Sequence, residues 1–387
     1  MNNDDITKLT NAIKKKREES LHILLKTLKN NLNDEDKKIK VSNRLLQAIF
    51  LKEETSKKHG TIYYLRDDDL TLELYKYFDF SEFRYKNLCI NKGDLFLFRD
   101  YGITFYPKDF YDKSAHCFDF RGVKIEGDFD GWDIASAKFG GCLGKPIVHP
   151  EKLKKNGLFC TDLKDCYVSG NCNGVDVRCV SFKGAHIDYD NFSFDQHKVK
   201  KSDLEGACLT GVPMNGNLDD VYIYNTTFNG FVGDLVFNVD NYSLRSLHGV
   251  RFGGVTINGN LASINLEYNN FAGAKNAVYD ASPDIPRRDI KTNKFRDVSF
   301  YHFYCLRNHD GFYTNEFDDA VIVYNATNKQ LEYDLIQDSI NNNDSESHMF
   351  KNITFLYLDE ELEKLIDGII EPEILIQKTK KITNTDN

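Results

Sequence analysis

Apolar residues in the middle of the chain, from 117 to 305, recur every five positions rather than with a helical period or in plain alternation. The most regular stretch covers 175–194 and reads VDVRC, VSFKG, AHIDY, DNFSF. The first and third residues of a block are mostly apolar, the second and fourth are mostly polar, and glycine often takes the fifth place. This spacing predicts short extended segments separated by corners.

A longer repeat is superimposed on the blocks of five. In four places, a block that ends in glycine is followed by a four-residue slip, and these slips begin at positions 128, 171, 217 and 260. The intervals between them are 43, 46 and 43 residues. Periods of this length are typical of solenoids, in which each repeat packs on its neighbours.

The geometry of extended chains explains the residue types. Alternate side chains of an extended segment point to the same side, so the first and third residues of a block face the interior together. Glycine suits the corner because it tolerates a positive φ. Stacked coils would place like side chains in ladders inside the solenoid. With four sides of about five residues per coil, the region gives roughly nine coils and a rod on the order of 45 Å long.

The blocks of five resemble the pentapeptide-repeat family, over about half of the chain. The resemblance implies a right-handed, quadrilateral parallel β-helix. Valine is frequent where the family usually has alanine or cysteine, and the slips break the phase. An ordinary parallel β-helix with coils of about 22 residues also fits the longer period. Two inserts, 145–157 and 281–291, are expected to loop out of the solenoid.

The flanking regions follow other patterns. Residues 4–58 have apolar residues at helical spacing, and Ser42 or Asn43 can cap the last helix there. Farther on, Phe78, Phe83 and Leu88 lie five residues apart as a lead-in to the repeats. A helix at 359–368 is expected to cap the open end of the solenoid, after a few last strands that contain Val321, Val323, Ile353 and Phe355. The predicted domains are a basic α-helical region at 1–59, an aromatic-rich lead-in at 60–116, the β-helix at 117–325 and an acidic segment with the capping helix at 326–387.

Charge is distributed unevenly along the chain, whose net charge is -9. Residues 1–59 hold 14 Lys and Arg against 9 Asp and Glu, whereas 311–387 hold 6 against 16 and the region 115–310 is nearly balanced at 22 against 24. A mimic of duplex DNA needs one sign of charge to dominate, because DNA carries about one negative charge per ~1.7 Å of its axis. Balanced charge on the repeats therefore favours a protein partner over DNA mimicry.

Candidate chemistry is sparse. Cys160, Cys166, Cys172 and Cys179 lie six or seven residues apart, which is too wide for the usual zinc pairs. His302, Cys305 and His309 are close enough in sequence to form a Cys/His nucleophile site. A row of carboxylates is the other enzymatic possibility, built from Asp119, Asp133, Asp162 and Asp176 at second block positions. Buried cysteines and solvated aspartates explain these residues more simply, so no catalytic residue, cofactor or metal is predicted.

The predicted interaction surface is a set of outward tyrosines: Tyr222, Tyr224, Tyr268 and Tyr301. Tyrosine is enriched at protein interfaces, although it is also common on strands. We therefore expect a non-enzymatic protein that uses a rigid β-helix to dock another protein, or a second copy of itself, without binding nucleic acid directly. A DNA mimic that inhibits a topoisomerase and an enzyme with a site on the β-helix remain the alternatives.

The expected location is the cytoplasm of a bacterium. The chain has no apolar run near the ~18 residues that a membrane span requires, and Met1 is followed by polar residues rather than by a secretion signal. The family resemblance also allows a translocated effector, delivered into a host cell without a cleavable signal. Nine cysteines in so long a chain are expected as thiols rather than disulfides.

Overall fold

The computed structural model describes most of the chain between residues 16 and 324 and three short segments beyond it. The described residues are 16–31, 38–56, 60–81, 83–154, 157–282, 288–301, 303–308, 314–324, 350–351, 354–357 and 381–382. The predicted capping helix at 359–368, Ile353 and the histidines at 302 and 309 lie outside them.

The protein is mainly β, and its parallel strands form a β-solenoid of about nine turns with few helices. This confirms the predicted fold class. The right-handed winding and the quadrilateral cross-section of the coils stay predictions. The chain divides into two compact units. The first comprises Met1–Asn171 with Gly184–Phe192, and the second comprises Cys172–Lys183 with Ser193–Asn387.

Two helices and a hairpin form the start of the first unit. Helix α1 covers Arg17–Asn31, and α2 covers Asn43–Phe50 with Ser42 as its cap, whose side chain accepts a hydrogen bond from the Leu45 amide. Strand β1, Leu51–Ser56, then pairs antiparallel with β2, Gly60–Leu65. The prediction of helix through residue 58 was wrong at β1, since pairing with the β-branched and aromatic residues of β2 outweighs the local helical spacing.

The aromatic lead-in contains two short helices that the sequence pattern did not indicate. They are α3, Asp69–Tyr75, and α4, Leu95–Tyr101, with strand β3, Leu88–Cys89, between them. The five-residue series Phe78, Phe83 and Leu88 is fully buried. Leu88 also forms a parallel bridge to Phe110, so parallel pairing begins before the repeats.

The first unit ends in a four-stranded parallel sheet. Its strands, in spatial order, are β4, Lys124–Asp128, β5, Leu143–Val148, β6, Tyr167–Asn171, and β7, His186–Ser193. Because β5 includes residues 145–148, and Val148 is fully buried, the first predicted insert does not begin at residue 145. β7 departs from the blocks of five, since Ala185 and Ile187 are only half-buried and Asp190 is exposed.

The second unit is built mainly from short parallel strands, in three sheets and one further strand pair. The first sheet contains β8, Gly216–Asn217, β9, Leu235–Asn238, and β11, Thr256–Asn258; the second contains β10, Ser246–His248, β12, Asn265–Glu267, and β14, Ile290–Lys291; the third contains β13, Val278–Asp280, β15, Ser299–Tyr301, β17, Val321–Tyr324, β19, Thr354–Tyr357, and β20, Lys381–Ile382; and the pair is β16, Phe317–Asp318, with β18, Phe350–Lys351.

Only β20 runs antiparallel to its neighbour, β19, among the described strands of these sheets. The last strands predicted around Val321, Val323 and Phe355 are present as β17 and β19. Strand β14 corrects the second predicted insert, because Ile290 returns to the interior of the coil. Parallel pairing thus continues past the end of the predicted repeats.

Inward residues form the predicted ladders. Val175, Val177, Val180 and Phe182 are buried, as the block pattern requires. A ladder of stacked phenylalanine rings runs through the second unit with centroid separations of 6.4, 5.3, 5.5 and 5.4 Å. Its members are Phe228, Phe252, Phe271, Phe295 and Phe317. Stacked aromatic pairs stabilise a core beyond the area they bury.

Corners follow the blocks of five. Positive φ angles recur at nearly every fifth residue in the first unit, at Cys117, Gly122, Gly127, Gly131 and Ser136. The predicted glycine corners are confirmed, and non-glycine residues also take this left-handed conformation. A residue other than glycine is strained at positive φ, so the surrounding coil must hold it in that conformation.

Coil length alternates, and this explains the longer repeat. Thr227 pairs with Arg251 after 24 residues, Arg251 with Asn270 after 19, and Asn270 with Lys294 after 24. One long and one short coil together make the 43-residue period. The structure is compatible with a repeat family such as the pentapeptide repeats.

Candidate functional site

One outward face of the second unit gathers three of the four predicted tyrosines. Leu204, Ile223, Leu247 and Leu266 point into the core, so the residues next to each of them point out, and Tyr268 follows Glu267 at a corner. The outward side chains on successive coils are Asp203 and Glu205, then Tyr222 and Tyr224, then His248, then Glu267 and Tyr268. We call these seven residues the tyrosine face.

The aromatic rings of this face are stacked along the coils. The rings of Tyr222 and Tyr224 lie 6.2 Å apart and nearly parallel, at 7°. Tyr224 stacks on His248 at 4.6 Å and 5°, and His248 meets Tyr268 at 5.2 Å and 62°. Tyr268 occupies a corner with a φ of 57° and is 54% exposed. Tyr222, Tyr224 and His248 are half-buried, so the face presents a strip of partly exposed aromatic rings.

Tyr301 does not share this strip. It lies on β15, where it pairs in register with Asp280 and Val323, and it packs against the buried Val323 side chain. Burial raises the pKa of Tyr301, and the Asp280 carboxylate adds to the effect. The predicted surface thus divides into three tyrosines on the tyrosine face and Tyr301 on another sheet.

Carboxylates border the aromatic strip. Burial raises the pKa of Tyr222, and the nearby carboxylates of Glu205 and Asp203 raise it further. At the other side, Glu267 Oε2 lies 3.3 Å from His248 Nδ1. Glu205 forms no ion pair with any residue that the structure describes. The tyrosine face therefore offers π-electron density and negative charge together.

Two cations on the preceding coil, Arg178 and Lys200, form ion pairs with Asp176. This carboxylate is nearly buried and accepts hydrogen bonds from Arg178 at 2.8 Å and from Lys200 at 3.0 Å. Burial alone would raise its pKa, but these two cations lower the pKa to about 2. Arg178 also lies 4.0 Å from Asp203. Arg178 is also within electrostatic range of Glu205, so it neutralises part of the acidic border of the face.

Aspartates at second block positions accept hydrogen bonds from backbone amides in the corner turns. The amide two residues later donates to the carboxylate of Asp119, Asp133, Asp162 and Asp176 in the same way. Such side-chain turns are a usual role of Asp and Asn. In the first unit, Lys138 lies between Asp119 and Asp162 in one column, and Asp133 bridges to Ser114 instead. Those three aspartates do not form the carboxylate row that an enzymatic site would use.

The candidate cysteines differ in how far they are buried. Cys166 and Cys172 are buried, Cys160 is half-buried, and Cys179 is exposed at a corner with a φ of 56°. Cys305 is half-buried on a 3-10 turn, while the histidines proposed as its partners are not described. No group of three or more His, Cys, Asp or Glu side chains suited to a metal occurs in the part of the chain that the structure describes.

A second candidate site, in the first unit, was missed by the sequence analysis. A pocket of about 590 Å³ opens beside α2. Three cationic side chains and one carboxylate line it, together with tyrosines and amide side chains. We call this cavity the basic pocket; its lining is Asn43, Gln47, Leu51, Tyr63, Arg84, Tyr85, Lys86, Tyr106, Lys108 and Asp109.

Comparisons with protein-family models, curated proteins and solved structures find no match to this chain. The likeness to pentapeptide repeats rests on the blocks of five and on the stacked parallel coils. None of the described helices is both long and apolar enough to cross a lipid bilayer.

Proposed function

We propose that the protein is a non-enzymatic binding scaffold whose tyrosine face docks an arginine- or lysine-bearing segment of another protein. The observation that supports this most is the aromatic strip bordered by Asp203, Glu205 and Glu267. Tyrosine and arginine are both enriched among the residues that contribute most of the binding energy at protein interfaces.

The chemistry of the face favours a cationic partner. A guanidinium over a tyrosine ring contributes about 0.5–2 kcal/mol, and a neighbouring carboxylate adds a charge-assisted hydrogen bond. Glu205 lies beside Tyr222 without an ion pair among the described residues, so both contributions are open to one incoming side chain. The stacked rings are held in position before binding, which reduces the entropy lost on association.

The outward columns support protein docking over DNA mimicry. Positive and negative residues alternate along them, as in Asp119, Lys138 and Asp162 of the first unit, or in the ion pair of Lys294 with Glu316 at 3.0 Å in the second. A mimic of duplex DNA needs an uninterrupted acidic row.

We further propose, on the family resemblance, that the solenoid is a right-handed, quadrilateral β-helix of degenerate pentapeptide repeats. Corners at nearly every fifth residue support this assignment. The same resemblance carries the proposals that the protein is bacterial and that it acts in the cytoplasm or as an effector delivered to a host cell.

Binding to a labelled cationic peptide tests the function. The full chain is titrated against a fluorescein-labelled peptide of alternating arginine and glycine, with a glutamate and glycine peptide as reference, in about 0.15 M salt to screen distant charges. We expect the arginine peptide alone to bind, and the double variant Tyr222→Ala/Tyr224→Ala to bind it at least tenfold more weakly. Glu205→Gln should weaken binding by a smaller factor.

The matched control is Tyr189→Ala, which removes a tyrosine that is 57% exposed in the other unit. This variant should bind like the parent chain. Unchanged affinity in the double variant would show attraction by net charge alone, and a loss equal to that of Tyr189→Ala would show that the two tyrosines are not special; either result would refute the tyrosine face as the docking site. Inhibition of a topoisomerase that survives the double variant would instead favour the DNA-mimic alternative.

A further inference from the structure

The basic pocket of the first unit has a rigid frame. The Arg84 amide donates to Asn43 Oδ1 at 2.8 Å, and Gln47 Nε2 donates to the Arg84 carbonyl at 2.7 Å, so α2 fixes the backbone on one side. On the other side, the Tyr85 hydroxyl donates to the Thr104 carbonyl and accepts from the Tyr106 amide, each at 3.1 Å. The cavity is therefore preformed rather than assembled around a ligand.

Arg84 is oriented within this frame. Its guanidinium carbon lies 4.2 Å from the centroid of the Tyr106 ring, and one terminal nitrogen donates to the Phe83 carbonyl. A guanidinium has five N–H donors, so most of its donors stay available. No carboxylate among the described residues forms an ion pair with Arg84. An arginine stacked on an aromatic ring is well suited to bind a planar or tetrahedral anion.

The other two cations converge on the same region. Lys86 and Lys108 are exposed, line the cavity and form no ion pair within the described part of the chain. Burial raises the pKa of Asp109, and the cations that oppose this rise are Lys108, Arg84 and Lys86. All three therefore lie within electrostatic range of one carboxyl group. With Asp109 ionised, the pocket carries a net charge of +2 in a chain whose net charge is -9.

We propose that the basic pocket binds a small phosphorylated organic molecule. The surplus of two positive charges matches the charge of a phosphate monoester dianion. A volume of about 590 Å³ lies in the range of small-molecule sites and exceeds what a bare phosphate fills. Tyr63 supplies an aromatic wall for the organic part of the ligand. The proposal concerns the first unit alone and is independent of docking at the tyrosine face.

Calorimetric titration of the full chain with adenosine monophosphate tests the assignment, with inorganic phosphate, adenosine and citrate as comparison probes. We expect the monophosphate to bind most tightly, inorganic phosphate more weakly, and adenosine and citrate at least tenfold more weakly than the monophosphate. Binding should weaken in higher salt, because the contacts are ionic.

Single variants then locate the site. Lys86→Gln and Lys108→Gln should each weaken binding of the monophosphate about tenfold, which corresponds to one lost charge-assisted contact of ~1.4 kcal/mol. Arg84→Lys should also weaken binding of the monophosphate, since lysine keeps the positive charge but lacks the planar guanidinium that stacks on Tyr106. The matched control is Lys124→Gln, an exposed lysine of β4 outside the pocket, which should bind like the parent chain.

Far-UV circular dichroism verifies that each variant keeps the parent fold. Absence of measurable heat with both the monophosphate and inorganic phosphate would overturn the proposal. So would binding of adenosine or citrate as tight as that of the monophosphate, because the phosphate group would then not be what the pocket recognises. Unchanged affinity in Lys86→Gln and Lys108→Gln would place the ligand elsewhere and overturn it equally.

Discussion

A ladder of three buried asparagines inside the second unit offers a sharp test of how the coils are held together. Asn269, Asn293 and Asn315 occupy successive coils and are almost completely buried. The side chain of Asn293 accepts from the Asn269 amide at 2.9 Å and from Asn269 Nδ2 at 3.1 Å. Its own Nδ2 donates to the Leu266 carbonyl and to Asn315 Oδ1, both at 3.0 Å.

The change Asn293→Ala removes all four of these hydrogen bonds. Each bond contributes a net ~1 kcal/mol, and a buried polar group that loses its partner costs roughly 1–3 kcal/mol. The Asn269 amide loses its side-chain acceptor and the Leu266 carbonyl loses a donor, while Asn315 Oδ1 still accepts from the Asn293 amide at 2.8 Å. We therefore expect the free energy of unfolding to fall by about 3–5 kcal/mol.

Urea unfolding followed by far-UV circular dichroism measures this loss as a shift of the midpoint at constant slope. The matched control is Asn258→Ala, because Asn258 Nδ2 donates to Asn238 Oδ1 at 3.2 Å on an exposed part of the neighbouring coil. The control should lose less than about 0.5 kcal/mol. A loss below ~1 kcal/mol for Asn293→Ala would refute the reasoning, because removing four buried hydrogen bonds should destabilise the fold by more than that.

Two further predictions follow from titrating and reactive groups. The pKa of Asp176 is lowered from 3.8 to about 2, so its ionised form stabilises the fold by about 2 kcal/mol above pH 4, and this contribution is lost as the pH falls towards 2. Asp176→Asn should therefore lower the free energy of unfolding at pH 7 and flatten the acid limb of a stability-versus-pH series; an unchanged acid limb would contradict the assignment. Cys179 is exposed, whereas Cys166 is buried and its burial raises the pKa of the thiol, so iodoacetamide followed by peptide mass spectrometry should find Cys179 modified in the native protein and Cys166 only after unfolding. Equal modification of the two thiols under native conditions would be incompatible with the described coils.

The solenoid could be predicted because its pattern is local and repeated. Each block states which side chains face inward, and residues such as Val177 and Phe182 are buried accordingly. The corners were predictable from glycine for the same reason. The exceptions are inward polar residues: Asn269 and Asn293 stand at first block positions, where their hydrogen bonds to the next coil replace apolar contact.

The flanking elements were harder to predict, because long-range contacts decide them. The sequence pattern predicted helix through residue 58, yet Leu51–Ser56 is a strand because β2 offers it a partner. The basic pocket shows the same limit, since Asn43, Arg84 and Lys108 are far apart in sequence and meet only when α2 packs on the lead-in. A cluster of cations assembled in this way leaves no spacing in the sequence to detect.

Separation of the inward and outward side chains explains why a solenoid suits docking. The phenylalanine and asparagine ladders fix the spacing of the coils from within, so an outward residue can change without altering the backbone beneath it. Outward rings on neighbouring coils are then held at stacking distance, as Tyr224 and His248 are at 4.6 Å. A partner therefore meets aromatic rings whose positions are set by the core rather than by its own binding. This division predicts that Tyr224→Ala weakens docking while leaving the stability of the coils nearly unchanged, whereas Asn293→Ala acts on stability first.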